Sequence, residues 1–254
     1  MNVTTAELGS ARVLGWDRRA RRNAWTRPLI EELADAVSAA AAADEVRCIV
    51  VRGAGEHFSA GDDLFDTLAA DRAEWRRTIE AFQRLTRATL QASVPVLAAI
   101  DGVCIGGALE FAASCDLRIC TERARFGTPE VRIGLSATNA GTLLLPELLG
   151  ETAARELLLT GRLFDAGWAR AHGLVSEVVP PGRLDARVAE LVEGFESTSR
   201  DAVAATKRML GERLGTLVEN ALHREQEACI RLFEGDDAKR ALQAFAERHG
   251  GARG

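Results

Sequence analysis

Glu110 is the one ionisable residue in a run of apolar and small residues, Gly106 to Cys115, that reads as a helix buried on every side. A carboxylate there is costly unless it is paired or has chemical work to do. Gly106 and Gly107 open the same helix. Each glycine costs a helix about 1 kcal/mol relative to alanine, so the pair makes sense where something must approach the backbone. The N–H groups of a first helical turn have no intrahelical partners and sit at the positive end of the helix dipole. They therefore suit an anion or a polarised carbonyl. A second acid, Glu130, follows Pro129 in the turn Arg125-Phe126-Gly127-Thr128-Pro129-Glu130. Backbone donors beside a buried acid are what chemistry on a polarised carbonyl requires. Each acid also has an ordinary reading: Glu110 as the partner of Arg118, Glu130 as the opener of a turn.

The elements that must position these groups can be read from hydrophobic patterning. Pro95 to Ile100 is a short apolar run that predicts a buried strand, turned by Asp101-Gly102 into the helix of Glu110. Further strands are expected at Ala11–Trp16, Val46–Arg52, Asp116–Thr121 and Leu174–Val179. Thr26 and Pro28 start a helix with Leu29, Ile30, Leu33 and Val37 on one face. A charged amphipathic helix is predicted from about Asp71 to Gln91, with Trp75, Ile79, Phe82 and Leu85 inward. Between strand and helix lies His57-Phe58-Ser59-Ala60-Gly61-Asp62-Asp63-Leu64, whose small residues suit a backbone that comes close to a ligand. Beyond Pro180-Pro181-Gly182 the pattern changes to four helical segments, near 183–195, 200–210, 213–234 and 236–248, with no convincing strand. Strand–turn–helix units followed by helices mark an α/β protein, divided here into a core over 1–180 and a helical region over 181–254.

Composition removes several function classes. A net charge of -5 argues against broad nucleic-acid binding. No apolar run approaches the roughly 20 residues that span a bilayer, and the N-terminus lacks an export pattern. The five cysteines are odd in number, mostly in apolar runs, and form no Cys-x-x-Cys pair, as expected of reduced core thiols in a cytoplasmic protein. Four scattered histidines offer no metal-ligand spacing, so no metal is expected. Gly-x-Gly-x-x-Gly, Walker and Gly-x-Ser-x-Gly motifs are all missing. Arg18, Arg19, Arg21 and Arg22 crowd into five positions; the ordinary reading is a solvated turn, the functional one a phosphate clamp.

Four ordered segments resemble the crotonase, or enoyl-CoA hydratase/isomerase, superfamily. They are Asn23-Ala24-Trp25-Thr26, Phe58-Ser59-Ala60-Gly61-Asp62-Asp63-Leu64, Asp101-Gly102-Val103-Cys104-Ile105-Gly106-Gly107-Ala108-Leu109-Glu110, and Arg125-Phe126-Gly127-Thr128-Pro129-Glu130 with Gly134. The resemblance runs from about Arg12 to Val179 and, less specifically, into the helical end. It implies an α/β spiral of ββα turns, a C-terminal trimerisation region, acyl-CoA thioester substrates, and homotrimers or dimers of trimers. No cofactor is implied, since coenzyme A is part of the substrate. By position, the N–H groups of Asp62 and Gly107 would form the oxyanion hole, with Glu110 and Glu130 as the two catalytic acids. Ala24, Ala60 and Leu64, with Gly61, Asp62 and Gly106, would line the coenzyme A and acyl site, and Arg22 would meet phosphate.

The expected reaction is syn hydration of a trans-2-enoyl-CoA to a 3-hydroxyacyl-CoA, or its reverse. Glu110 would handle the water and Glu130 the Cα proton, with exchanged roles left open. Alternatives sharing the oxyanion hole are a Δ3-Δ2 enoyl-CoA isomerase and an acyl-CoA decarboxylase; an RNA-binding relative is a minor one. Asp62 is unusual as a donor position, because an inward carboxylate would oppose an enolate. The loop Leu135-Ser136-Ala137-Thr138-Asn139-Ala140-Gly141 departs from the common hydratase pattern, and its Ser136 and Asn139 point to a functionalised acyl group.

Overall fold

The computed structural model describes residues 3–249. Strand β1 (Val3–Leu8) pairs antiparallel with β2 (Ala11–Trp16). From β2 the sheet continues in parallel through β3 (Cys48–Gly53), β4 (Val96–Ile100), β6 (Leu117–Thr121) and β9 (Glu177–Val179). A second sheet joins β5 (Val103–Ile105) in parallel to β7 (Arg125–Gly127), and β7 antiparallel to β8 (Phe164–Asp165). The parallel order requires crossovers, and helices supply them. They are α1 (Arg27–Ala42), α2 (Leu64–Ala69), α3 (Arg72–Gln91), α4 (Gly107–Ser114), α5 (Gly141–Leu149), α6 (Glu151–Thr160) and α7 (Ala166–Ala171). The helical end comprises α8 (Leu184–Glu196), α9 (Arg200–Glu212), α10 (Gly215–Phe233) and α11 (Asp236–His249).

The strands read from apolar runs are present, and β3 and β4 are buried along nearly their whole length, as parallel strands covered on both faces must be. Patterning did not reveal β1, β5, β7 or β8. The last three have two or three residues each, too short for a period to register. On α3, Trp75, Ile79, Phe82 and Leu85 all face inward, each contributing about 1.5–3 kcal/mol of burial. Asp71 caps its first turn by accepting the Glu74 N–H. Trp16, Trp25, Phe58, Phe82 and Phe111 form an aromatic cluster beneath the loop 57–64. Arg118 is not the partner of Glu110: it donates to the carbonyls of Leu174, Ala112 and Cys115. All five cysteines are free and buried. Among the described residues no helix is long and apolar enough to cross a membrane.

Candidate active site

The loop after β3 is laid against the second sheet by main-chain bonds. Phe58 N–H donates to Asp101, Ser59 N–H to Val103, and Ile105 N–H back to Ser59. Asn23 fastens the loop from beneath, its amide donating to the carbonyls of Ala54 and His57. The consequence is a close approach of two backbones. A Cβ on Gly61 would stand 2.8 Å from the Ile105 carbonyl oxygen and 3.4 Å from Gly106 Cα and Gly107 N, and Gly61 itself has φ +81°. Only glycine satisfies both conditions without strain. Asp62 and the first residue of α4 therefore become neighbours. Trp25 bonds to Gly61 on one side and Asp63 on the other, which leaves the Asp62 N–H without a backbone acceptor. The Gly107 N–H, at the start of α4, is likewise without one.

Three acids converge on this seat. Glu130 comes from the short 3-10 turn Pro129–Ile133, and its Oε1 lies 3.0 Å from where a Cβ on Gly106 would be. Asp62 Oδ2 lies 3.2 Å from where a Cβ on Gly107 would be. Glu110, 1% exposed, sits one helical turn on, and its Oε2 accepts the N–H groups of Thr138 (3.0 Å) and Asn139 (2.9 Å). Those donors favour the ionised form of Glu110. Glu130 Oε2 and Asp62 Oδ1 are out of solvent and have no hydrogen-bond partner among the described residues. Burial raises all three carboxyls above their ordinary range, Asp62 to about 7 and Glu130 to about 8. The neighbouring charges of Glu130 and Glu225 add to the effect at Glu110, and that of Asp62 adds at Glu130.

Glu225 was not picked out from the sequence. It lies on α10, 5% exposed, and accepts the N–H groups of Ala140 (2.7 Å) and Thr142 (2.8 Å) together with the Thr142 hydroxyl (2.5 Å). It thereby fixes the start of α5, whose preceding residues 138 and 139 hold Glu110. The available signal was an acid on the apolar stripe Val218, Leu222, Cys229 of that helix.

The remaining predicted residues sit around the seat. Ala60 donates its N–H to Arg22, Ala24 is buried, and Leu64 and Ala60 are partly exposed. Asp63 caps α2 by accepting the Phe65 N–H. The arginine cluster divides. Arg18 pairs with Asp63 at 3.0 Å, Arg19 with Asp17 at 2.8 Å, and Arg21 lies over the Phe65 ring. Arg22 is exposed. Among the described residues Ser136 Oγ and Asn139 Nδ2 are enclosed without a partner, as are Glu130 Oε2 and Asp62 Oδ1. A surface pocket bounded by Thr26, Asp66, Thr67 and Glu74 reaches Asp62 from the α1–α2–α3 side.

Comparison with known proteins agrees with this architecture. The family model described as enoyl-CoA hydratase/isomerase matches residues 10–251. A crotonyl-CoA hydratase of Syntrophomonas wolfei is 32% identical over 97% of this chain and 95% of its own. A short-chain-enoyl-CoA hydratase of Clostridium acetobutylicum is 31% identical over the same shares. Among solved structures, an enoyl-CoA hydratase from Mycobacterium avium subsp. paratuberculosis superimposes with a TM-score of 0.89 at 27% identity, covering 98% of this chain and 96% of that one. With a matching family model over nearly the whole chain and the crotonase fold in its neighbours, the chain belongs to the enoyl-CoA hydratase/isomerase family, within the crotonase superfamily.

Proposed function

We propose that the chain adds water syn across the double bond of a trans-2-enoyl-CoA thioester, or removes it in reverse. The observation that carries this reading is the buried Glu110 and the half-buried Glu130 beside two adjacent N–H groups, Asp62 and Gly107, that have no backbone acceptor among the described residues. Those donors receive the thioester oxygen, drawing electron density from Cβ and stabilising the enolate that follows. Each donor of this kind contributes about 10²–10³ in rate. Glu110, whose Oε2 is aimed by the Thr138 and Asn139 amides, deprotonates water as its oxygen bonds to Cβ. Glu130, whose Oε2 is out of solvent without a hydrogen-bond partner among the described residues, supplies the proton to Cα. Coenzyme A lies along Ala24, Ala60 and Leu64 with phosphate toward Arg22, and no cofactor enters the reaction.

Two acids favour hydration over double-bond migration, which needs only one. The oligomer we propose is a trimer or a dimer of trimers, supported by apolar side chains left in solvent at Val131, Leu159, Leu163, Met209, Leu210 and Leu217. The test is the hydration of crotonyl-CoA, followed by loss of the conjugated thioester's ultraviolet absorbance. Glu110→Gln and Glu130→Gln are each expected to lower kcat by about 10²–10⁴ while leaving the protein folded, as its circular dichroism spectrum reads. A Glu110→Gln enzyme that works at the wild-type rate overturns the reading.

A further inference from the structure

Asp62 carries a side chain that an oxyanion donor does not need, in the place where a charge is least welcome. Its carboxyl does not leave the site. Oδ2 reaches over Gly107 and Oδ1 is enclosed without a partner. On the neighbouring glycine, Glu130 presents Oε1 over Gly106 and has an Oε2 out of solvent with no partner among the described residues. Among the described residues no arginine or lysine pairs with either group, and Arg18 is taken up by Asp63 and the Ala24 carbonyl. Two half-buried carboxyls over adjacent glycines, each with one oxygen out of solvent and unpartnered, oppose one another's ionisation, and the economical state is one proton between them.

We propose that Asp62 and Glu130 form a carboxyl pair that shares one proton across the Gly106–Gly107 peptide, and that this is the proton delivered to Cα. The proposal rests on the hydratase reading for the delivery step, but the pair itself does not. In the forward direction Glu110 takes a proton from water while the water oxygen bonds to Cβ. The Cα–Cβ π pair moves onto the thioester as an enolate. The enolate then takes the shared proton at Cα. One proton has moved to Glu110 and one has left the pair. Release of the first to solvent and uptake of another by the pair restores the site. Asp62 acts through Glu130, by keeping it protonated at neutral pH and by leaving a single negative charge where two would oppose the enolate. The other ionisable groups facing these acids are Glu110, Glu225 on α10, Asp63 and the Cys229 thiol, and none of them is a cation.

Two measurements on the whole protein test it. In the first, the pH dependence of kcat/KM for crotonyl-CoA is compared between wild type and Asp62→Asn. Loss of the like charge is expected to move the alkaline limb down by about a unit. Coincident limbs overturn the proposal. The second needs no turnover. In protein labelled with ¹³C at aspartate carboxyls, the resonance missing from Asp62→Asn is followed against pH. It is expected to titrate well above ordinary aspartates and to move to lower pH in Glu130→Gln. An ordinary midpoint, or one that Glu130→Gln leaves in place, overturns it. If the resonance behaves as expected while wild type hydrates no enoyl-CoA, the pair stands and the hydratase reading fails.

Discussion

At the scale of single residues, the site depends on places where no side chain fits. A Cβ on Gly141 would come within 2.6 Å of Glu110 Oε2, the oxygen held by Thr138 and Asn139. Gly141→Ala is therefore expected to displace the carboxylate, reducing kcat at least tenfold and costing about 1–3 kcal/mol of stability. Steady-state kinetics and thermal melts check the two parts separately. Gly107→Ala meets the Phe82 ring at 2.9 Å and Asp62 Oδ2 at 3.2 Å, so the seat itself would shift. The two glycines of the first turn and the isolated acid were legible because their types are wrong for a helix with no other purpose. The Asp62 carboxyl was legible only as an oddity, since its direction depends on how loop and helix meet.

At the scale of elements, the active site is held by a long-range contact that crosses from the helical end to the core. Glu225 on α10 accepts two main-chain N–H groups at the start of α5, where Ala140 adopts φ +64°. The left-handed conformation at a residue with a Cβ is strained, and the Glu225 carboxylate offsets that strain by satisfying the groups it exposes. Glu225→Ala leaves the buried Ala140 N–H unpaired, a cost of about 1–3 kcal/mol, and frees the part-buried Thr142 N–H. The expected outcome is a lower melting temperature together with a reduced kcat, because the 138–139 amides that hold Glu110 lose their anchor. A Glu225→Ala enzyme with wild-type kcat would show that α5 keeps its place without α10. Helices α8 to α11 were read from sequence to within a few residues at most of their ends, because each carries a long amphipathic pattern. The acid among them that reaches the site was not, since its partners lie more than eighty residues away.

For the whole molecule, the enclosed acids set how stability responds to pH. Asp62 is raised from 3.8 to about 7 and Glu130 from 4.5 to about 8, chiefly by burial. Between the ordinary and raised values the native state holds protons that the unfolded chain has released, so stability falls as pH rises through that window. Asp62→Asn and Glu130→Gln remove the penalty. Each variant is expected to melt higher than wild type at pH 9 and close to it at pH 5, which paired thermal scans decide. Carboxyls lowered by arginine partners, such as Asp101 beside Arg123, act in the opposite direction at low pH and are common to all three proteins.

The sequence alone determined the class of fold, because parallel strands buried on both faces are written as apolar runs and their crossover helices as amphipathic ones. It also marked Glu110 and the Gly106–Gly107 seat, since isolated charge and costly glycines are local facts. Which carboxyls face one another was decided only by tertiary structure. The 58–62 loop lies against β5, a strand of three residues, and the Glu110 oxygens meet amides twenty-eight and twenty-nine residues further on. Those contacts depend on backbones packed to within van der Waals distance, a property of the assembled fold that no local pattern encodes.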